Sequence, residues 1–213
     1  MRKALLLALL SLLLGLPAWA GLITVGTTDP GSIGPWAINT DNAAAVSWYL
    51  PNSFSSVDIR IGFEDLSGGA TYSAYLMNAI GLGADPSVNE IDNTTFTGSG
   101  DLSPVLLWHG LTLDPGFYYL VVGSTDPNSW GGWGATTNPT VTLAPGVLQG
   151  DVSGIQYWVS SPDVAAYLPA SNWVPDDGSA FGELMYDVSV PEPSTAFLLL
   201  GGGLLLAVLR RRR

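Results

Sequence analysis

The chain has 213 residues and no cysteine, which excludes disulfide bonds and thiolate metal sites. Six of the seven basic residues lie at the two ends, so residues 21–193 hold one basic residue, Arg60, against 18 acidic residues, a net charge of −17. A body this acidic repels phosphate backbones, which argues against nucleic-acid binding and favours a role for the charge in solubility.

The first 20 residues have the three parts of a secretory signal peptide. Arg2 and Lys3 form a short basic region, residues 4–16 are an apolar run, and residues 18–20 (Ala-Trp-Ala) fit the cleavage site of signal peptidase. The apolar run is too short to span a membrane comfortably. We therefore expect export through the Sec translocon and cleavage by signal peptidase after Ala20, with a retained N-terminal anchor as the alternative.

The body has the pattern of strands separated by turns. Residues 57–63 and 184–190 alternate apolar and polar positions, and residues 116–122 form a continuous aromatic and β-branched run. No segment has a long helical period. We predict one all-β domain over residues 21–189, a single jelly-roll-like or immunoglobulin-like β-sandwich, flanked by an N-terminal signal helix and a C-terminal hydrophobic helix. The other predicted strands are residues 44–50, 71–77, 106–113, 140–143 and 155–159.

One pair of strands is predicted to form a hairpin. Residues 106–113 and 117–122 flank Asp114, Pro115 and Gly116. Proline followed by glycine suits the two central positions of a type II turn. We therefore expect the two strands to be adjacent and antiparallel.

A loop rich in glycine and tryptophan, residues 129–134, follows this predicted hairpin. Residues 111–120 resemble the L-x-x-G-x-Y-Y-L hairpin of exported bacterial β-sandwich modules, and that resemblance includes such a loop. Exposed indoles at Trp130 and Trp133 could stack on sugar rings as a ligand platform. The alternative is that both indoles cap the core.

No catalytic motif is recognised in the body. His109, the sole histidine, lies on a predicted strand without a G-x-S-x-G elbow or another nucleophile motif, so we expect no catalytic residue. A secreted hydrolase with paired carboxylates stays open, although no pair stands out.

A second cluster bears on metal binding. The oxygen-rich stretch of Asp85, Asn89, Glu90 and Asp92 could hold Ca²⁺, but it lacks the pattern of a calcium loop, and a solvated loop is favoured. We therefore predict no cofactor and no metal site, with Ca²⁺ as the open alternative.

The last 24 residues have a different character. Pro191, Glu192 and Pro193 precede an uncharged run, residues 196–209, and the chain then ends in four basic residues, Arg210, Arg211, Arg212 and Arg213. As a helix the run would be about 21 Å long, short of a bilayer core of about 30 Å. The four arginines should stop translocation and hold this end in the cytoplasm, with the body on the far side of the membrane.

Residues 190–213 resemble the PEP-CTERM sorting signal of Gram-negative bacteria, which has a Pro-Glu-Pro motif, a short apolar helix and a basic end in this order. The resemblance implies recognition by an exosortase, a polytopic membrane enzyme, with Pro191, Glu192 and Pro193 as its sorting motif. It also implies transient anchoring in the inner membrane followed by release to the cell surface. An ordinary C-terminal anchor is the alternative.

Together these observations predict a non-enzymatic protein of the cell surface or extracellular matrix, exported by Sec and sorted by an exosortase. The setting in which such tails recur suggests a link to exopolysaccharide and biofilm. A carbohydrate-binding module that uses the Trp130 and Trp133 loop is the leading alternative, and a secreted hydrolase is the third.

Overall fold

A computed structural model describes the protein at residues 21–26, 33–80, 84–158 and 183–190. Gly21–Val190 form one compact unit. Its elements are β1 (Gly21–Gly26), β2 (Ile33–Ile38), β3 (Asn42–Leu50), β4 (Phe54–Asp65), β5 (Tyr72–Met77), the single turn α1 (Pro86–Asn89), β6 (Glu90–Phe96), β7 (Ser103–Leu113), β8 (Gly116–Gly123), β9 (Gly131–Thr136), β10 (Thr140–Leu143), β11 (Leu148–Trp158), β12 (Glu183–Leu184) and β13 (Tyr186–Ser189).

The predictions for the two ends of the chain fall on residues outside this description. They are the signal helix and the C-terminal hydrophobic helix, together with two sets of tail residues. The sorting motif consists of Pro191, Glu192 and Pro193, and the basic end consists of Arg210, Arg211, Arg212 and Arg213.

The strands form two antiparallel sheets, which confirms the predicted all-β sandwich. The larger sheet has eight strands in the order β10-β1-β13-β4-β9-β12, with β2 paired to β9 and β7 paired to β4. The smaller sheet has five strands in the order β11-β3-β8-β5-β6. In the part of the chain that is described, no helix has the length and apolarity to cross a membrane.

Aromatic side chains fill the space between the sheets. Trp48 of the smaller sheet stacks on Tyr118 at 6.0 Å and on Tyr186 of the larger sheet at 5.8 Å between ring centroids. At the other end of the core, Phe63 packs edge-on against Tyr72 at 4.6 Å. Large buried rings of this kind supply much of the burial energy that a chain without disulfides needs.

The predicted alternation of β4 is confirmed. Ile59, Ile61 and Phe63 are fully buried on the core face, whereas Arg60 lies on the other face. This strand is central to the larger sheet, because it pairs with β7, β13 and β9.

Four strands have no predicted counterpart: β1, β2, β6 and β9. Strand β9 begins Gly-Gly-Trp-Gly, and glycine has low strand propensity. It pairs with β2 on one side and with β4 and β12 on the other.

The predicted hairpin is wrong. β7 pairs with β4 in the larger sheet, whereas β8 lies between β3 and β5 in the smaller sheet. Asp114 and Pro115 therefore carry the chain from one sheet to the other. The Tyr118 hydroxyl donates a 2.6 Å hydrogen bond to the Asp114 carbonyl, an arrangement like the tyrosine corner of immunoglobulin-like sandwiches. The type II turn assignment, which assumed this hairpin, is wrong with it: Asp114 and Pro115 lie between the two strands but do not define the strands' partners.

Candidate functional site

The structure separates the two indoles of the predicted ligand platform. Trp133 lies on the core face of β9, fully buried, and its Nε1 donates a 2.8 Å hydrogen bond to the Met185 carbonyl. Trp130, just before β9, has 54% of its surface exposed. Trp133 therefore belongs to the core, and the two indoles form no shared surface platform.

The glycines of this loop serve packing. A Cβ added at Gly131 would lie 2.6 Å from Phe63 Cζ and 2.7 Å from the Tyr72 hydroxyl. A Cβ at Gly134 would lie 2.9 Å from Leu102 Cδ1. Side chains of the protein therefore already occupy the space beside these glycines.

A buried carboxylate anchors the turn that follows β4. Asp65 accepts hydrogen bonds from the Ser67 hydroxyl, from the Tyr72 hydroxyl at 2.8 Å and from the backbone N–H groups of Ser67 at 3.0 Å and Ala70 at 3.2 Å. The Ser67 hydroxyl in turn accepts a 3.1 Å bond from the backbone N–H of Trp130. This network holds the backbone of the exposed indole in place, and the sequence analysis missed it. The spacing of Asp65, Ser67 and the glycines after them is typical of an Asx turn and could have indicated it.

The network changes the acidity of both its titratable groups. Burial by itself would raise the pKa of Asp65, but the bonds from Ser67, Tyr72 and Gly69 outweigh it and lower the pKa to about 2. Burial raises the pKa of Tyr72 to about 12, and the neighbouring Asp65 carboxylate contributes to the increase. At neutral pH the site is therefore an ionised carboxylate with a fixed set of donors, which suits a structural role.

His109 forms a pair with a buried carboxylate. Its Nδ1 lies 2.8 Å from Asp58 Oδ1, and 74% of its side chain is exposed. Asp58 also accepts a 3.1 Å bond from the Gly110 N–H, and Gly110 has a φ of 76° that brings its N–H to this position. Within the described ranges, no serine or threonine hydroxyl bonds to the imidazole. The bond to Asp58 orients the ring, but the described residues place no nucleophile beside it.

Arg60 connects this pair to the neighbouring strand. Its guanidinium lies 2.8 Å from Asp58 Oδ2 and 3.5 Å from Asp187 Oδ2, and it donates a 3.1 Å bond to the Ser189 hydroxyl. Thr24 of β1 donates a 2.6 Å bond to Asp187. Burial by itself would raise the pKa of Asp58, but the donors around it lower the pKa overall. The cluster therefore bonds β1, β4, β7 and β13 together across the outer face of the larger sheet.

The oxygen-rich stretch is divided between two elements. Asp85 lies before α1 and accepts bonds from the Ser87 N–H and hydroxyl at 2.9 and 2.7 Å, while Asn89 bonds to Asn78 at 2.7 Å. Glu90 and Asp92 lie on β6. Among the described residues, no group of three or more histidine, aspartate or glutamate side chains is placed to hold a metal ion.

A groove at the corner between β7 and β8 combines polar groups with an exposed ring. It encloses about 460 Å³, and its lining includes Asn78, Asp114 and Phe117. Phe117 has 55% of its surface exposed and packs against Tyr49 on the adjacent strand, with 5.0 Å between ring centroids. An exposed aromatic surface beside an amide and a carboxylate is an arrangement that can bind a sugar ring. The sequence analysis named none of these residues as a ligand site.

The comparisons with known proteins bear on the tail of the chain. A family model described as the PEP-CTERM protein-sorting motif matches residues 189–213, and this match confirms the resemblance drawn from the tail. The matched residues include the whole Pro-Glu-Pro motif and all four arginines of the basic end, which are Arg210, Arg211, Arg212 and Arg213. No curated protein and no solved structure matches the chain. The matched region begins at Ser189, the last residue of β13 and a partner of Arg60.

Proposed function

Because this chain carries a PEP-CTERM protein-sorting motif, we propose that it is a non-enzymatic component of the cell surface or extracellular matrix, associated with exopolysaccharide in biofilm. The motif implies export, a C-terminal membrane-anchoring sorting signal and an exosortase as the processing partner. Sec translocation and removal of residues 1–20 by signal peptidase are part of the proposal.

The sorting motif is the observation that supports the proposal most strongly. It begins where the sandwich ends, and the last strand is held on both sides: β13 pairs with β1 and with β4. Ser189 also bonds to Arg60. Cleavage after residue 193 would therefore remove none of the strands that the structure describes, so we expect the folded domain to be released intact.

The test is the mass of the protein recovered from the cell surface. We expect the loss of residues 1–20 and of everything after about residue 193. Glu192→Ala should leave unprocessed precursor in the inner membrane, because it changes the centre of the motif. Asp92→Ala, a matched loss of one carboxylate on the edge strand β6, should be processed normally. A surface protein that still carries Arg210 to Arg213 would contradict the proposal.

A second candidate function is carbohydrate binding at the groove beside Phe117. In this groove the exposed ring of Phe117 lies beside polar side chains, and this arrangement supports the groove as a candidate site. A glycan that stacks on Phe117 could also bond to Asn78 and Asp114.

Retention of the protein on exopolysaccharide from the producing cells tests this second candidate. Phe117→Ala should weaken retention by about tenfold, the effect of losing roughly 1.4 kcal/mol of binding energy. Trp130→Ala removes another exposed ring and is the matched control, so this variant should bind the polysaccharide normally. Equal retention of both variants and the unsubstituted protein would exclude the groove.

A further inference from the structure

One edge of the larger sheet has no partner among the described residues. β10 pairs with β1 through Ile23–Leu143, Thr24–Thr142, Val25–Val141 and Gly26–Thr140, and no described strand pairs with its other side. All four of its residues are exposed. An open edge presents backbone donors and acceptors to any extended strand that can approach it.

The direction of these backbone groups follows from one hydrogen bond. The Ala144 N–H donates a 2.8 Å bond to the Leu22 carbonyl, which continues the pairing with β1. Hydrogen-bonding direction alternates along a strand, so the backbone groups of Thr142 also face β1. The N–H and C=O groups of Val141 and Leu143 therefore face away from β1 and can pair with another strand.

The side chains of the same two residues are incompletely covered. Val141 and Leu143 lie opposite Val25 and Ile23, so they share the face that carries the core. Val25 and Ile23 are buried, but Val141 and Leu143 remain 39% and 41% exposed. An added strand would extend the sheet over this open side of the sandwich and cover both side chains.

The charge pattern favours a second copy of the chain at this edge. Residues 127–150 contain no charged residue, although residues 21–193 carry a net charge of −17. The edge strand β6 of the smaller sheet, in contrast, carries Glu90 and Asp92. Two acidic bodies repel each other least where neither carries charge, so the uncharged edge at β10 allows two copies to approach.

We propose that β10 pairs antiparallel with β10 of a second copy, about a two-fold axis that passes beside Thr142. In this register Val141 exchanges backbone hydrogen bonds with Leu143 of the partner subunit. By the two-fold symmetry, Leu143 exchanges the same bonds with Val141 of the partner subunit. Pro139 and Pro145 flank the strand and limit the pairing to its four residues, because proline lacks the N–H that an extended ladder would require. The larger sheets of the two copies become one continuous sheet.

The register places the two copies of Thr142 opposite each other. Residues at such a non-hydrogen-bonded position have Cα atoms about 4.5 Å apart, within the range of a disulfide bond. The natural chain has no cysteine, so Thr142→Cys would carry a single thiol. In the full-length chain in detergent, mild oxidation should convert this variant to a covalent dimer, about tenfold more completely than Val88→Cys. Val88, in α1, is 71% exposed and supplies the matched control.

A second substitution distinguishes strand pairing from random collision. Val141→Pro removes an N–H that faces away from β1, so it should abolish the crosslink of Thr142→Cys and leave the sandwich folded. Val141→Lys should do the same through charge and keeps the N–H. Sedimentation of the chain without substitutions should show dimers that Val141→Lys converts to monomers. Monomers at concentrations up to roughly 100 µM, equal crosslinking at Val88→Cys, or a crosslink to a different protein would each overturn the proposal.

Discussion

Asp65 shows how a single side chain can organise one end of the sandwich. Its carboxylate bonds to Ser67, Ala70 and Tyr72, and through Ser67 it fixes the backbone of Trp130. Because the carboxylate is buried, each of these donors is needed to offset the loss of water. The network therefore contributes fully to stability only while Asp65 is ionised.

We expect acid to weaken the fold through this group. The pKa of Asp65 is about 2 in the folded protein, against about 3.9 for an aspartate in an unfolded chain. A group whose pKa is lower when folded stabilises the protein fully above the unfolded value and loses that contribution as the pH falls through the folded value. The free energy of unfolding should therefore fall between about pH 4 and pH 2.

Denaturant titrations at several pH values would measure this decrease. Asp65→Asn should lower stability at neutral pH and should show a shallower decrease below about pH 4 than the unsubstituted protein. Asp41→Asn, at an exposed aspartate, is the control and should follow the unsubstituted protein. Identical pH profiles for all three proteins would show that Asp65 is not the group responsible.

Two buried tyrosines should respond in opposite ways to the loss of the hydroxyl. The Tyr186 hydroxyl is buried and has no hydrogen-bond partner among the described residues, and burial raises its pKa. Tyr186→Phe should therefore raise the free energy of unfolding by about 1 kcal/mol. Tyr72→Phe removes the 2.8 Å bond to the Asp65 carboxylate and should lower it by about 1.5–3 kcal/mol.

The comparison of the two variants is internally controlled, because each removes one oxygen from a buried ring. Thermal or denaturant unfolding of both proteins under the same conditions gives the two differences. A Tyr186→Phe variant that is less stable than the unsubstituted protein would mean that its hydroxyl has a partner in solution.

At the scale of elements, β9 forms because of its neighbours and in spite of its composition. Its glycines lie beneath Phe63, Tyr72 and Leu102, and its one large side chain, Trp133, enters the core. The strand pairs with β2 on one side and with β4 and β12 on the other. The glycines of this strand therefore leave room for neighbouring side chains, and its tryptophan fills the core.

Two glycine substitutions test this interpretation of β9. Gly131→Ala would place a methyl group 2.6 Å from Phe63 and 2.7 Å from Tyr72, so the rings must shift, and we expect a loss of about 1–3 kcal/mol of stability. Gly34→Ala, on the adjacent strand β2, meets nothing within 4 Å and should change stability little. Equal stability of the two variants in denaturant unfolding would show that β9 tolerates a side chain there.

At the scale of the whole molecule, charge is the dominant property. Residues 21–193 carry one basic residue, and that residue, Arg60, already pairs with Asp58 and lies near Asp187. The many other carboxylates of this span repel one another. Such repulsion destabilises a compact state and is reduced by salt.

The unfolding temperature should therefore rise when NaCl is increased from about 10 mM to about 150 mM, where the screening length falls to about 8 Å. Ca²⁺ and Mg²⁺ should stabilise the protein equally at equal ionic strength if they act only by screening the carboxylates, as the predicted lack of a metal site implies. A larger increase with Ca²⁺ alone would indicate a specific site. An unfolding temperature that falls with added salt would show that attraction between charges outweighs repulsion.

The sequence by itself determined the features that depend on local composition. Residues 190–213 could be recognised because a sorting tail is a continuous stretch of sequence that needs no partner elsewhere in the chain, and the family model matches residues 189–213. The sandwich class followed from alternation, since a strand buried on one face must repeat every two residues. The burial of Ile59, Ile61 and Phe63 followed from the same pattern.

Only the tertiary structure decided which distant strands meet. β7 and β8 flank a strong turn signal, yet they lie in different sheets, because β4 pairs with one of them and β3 and β5 pair with the other. Trp130 and Trp133 lie close together in the chain, but one is exposed and the other is buried in the core. A local pattern limits the conformation of each segment, whereas partner choice and burial depend on contacts between residues far apart in sequence, and a single sequence does not show those contacts.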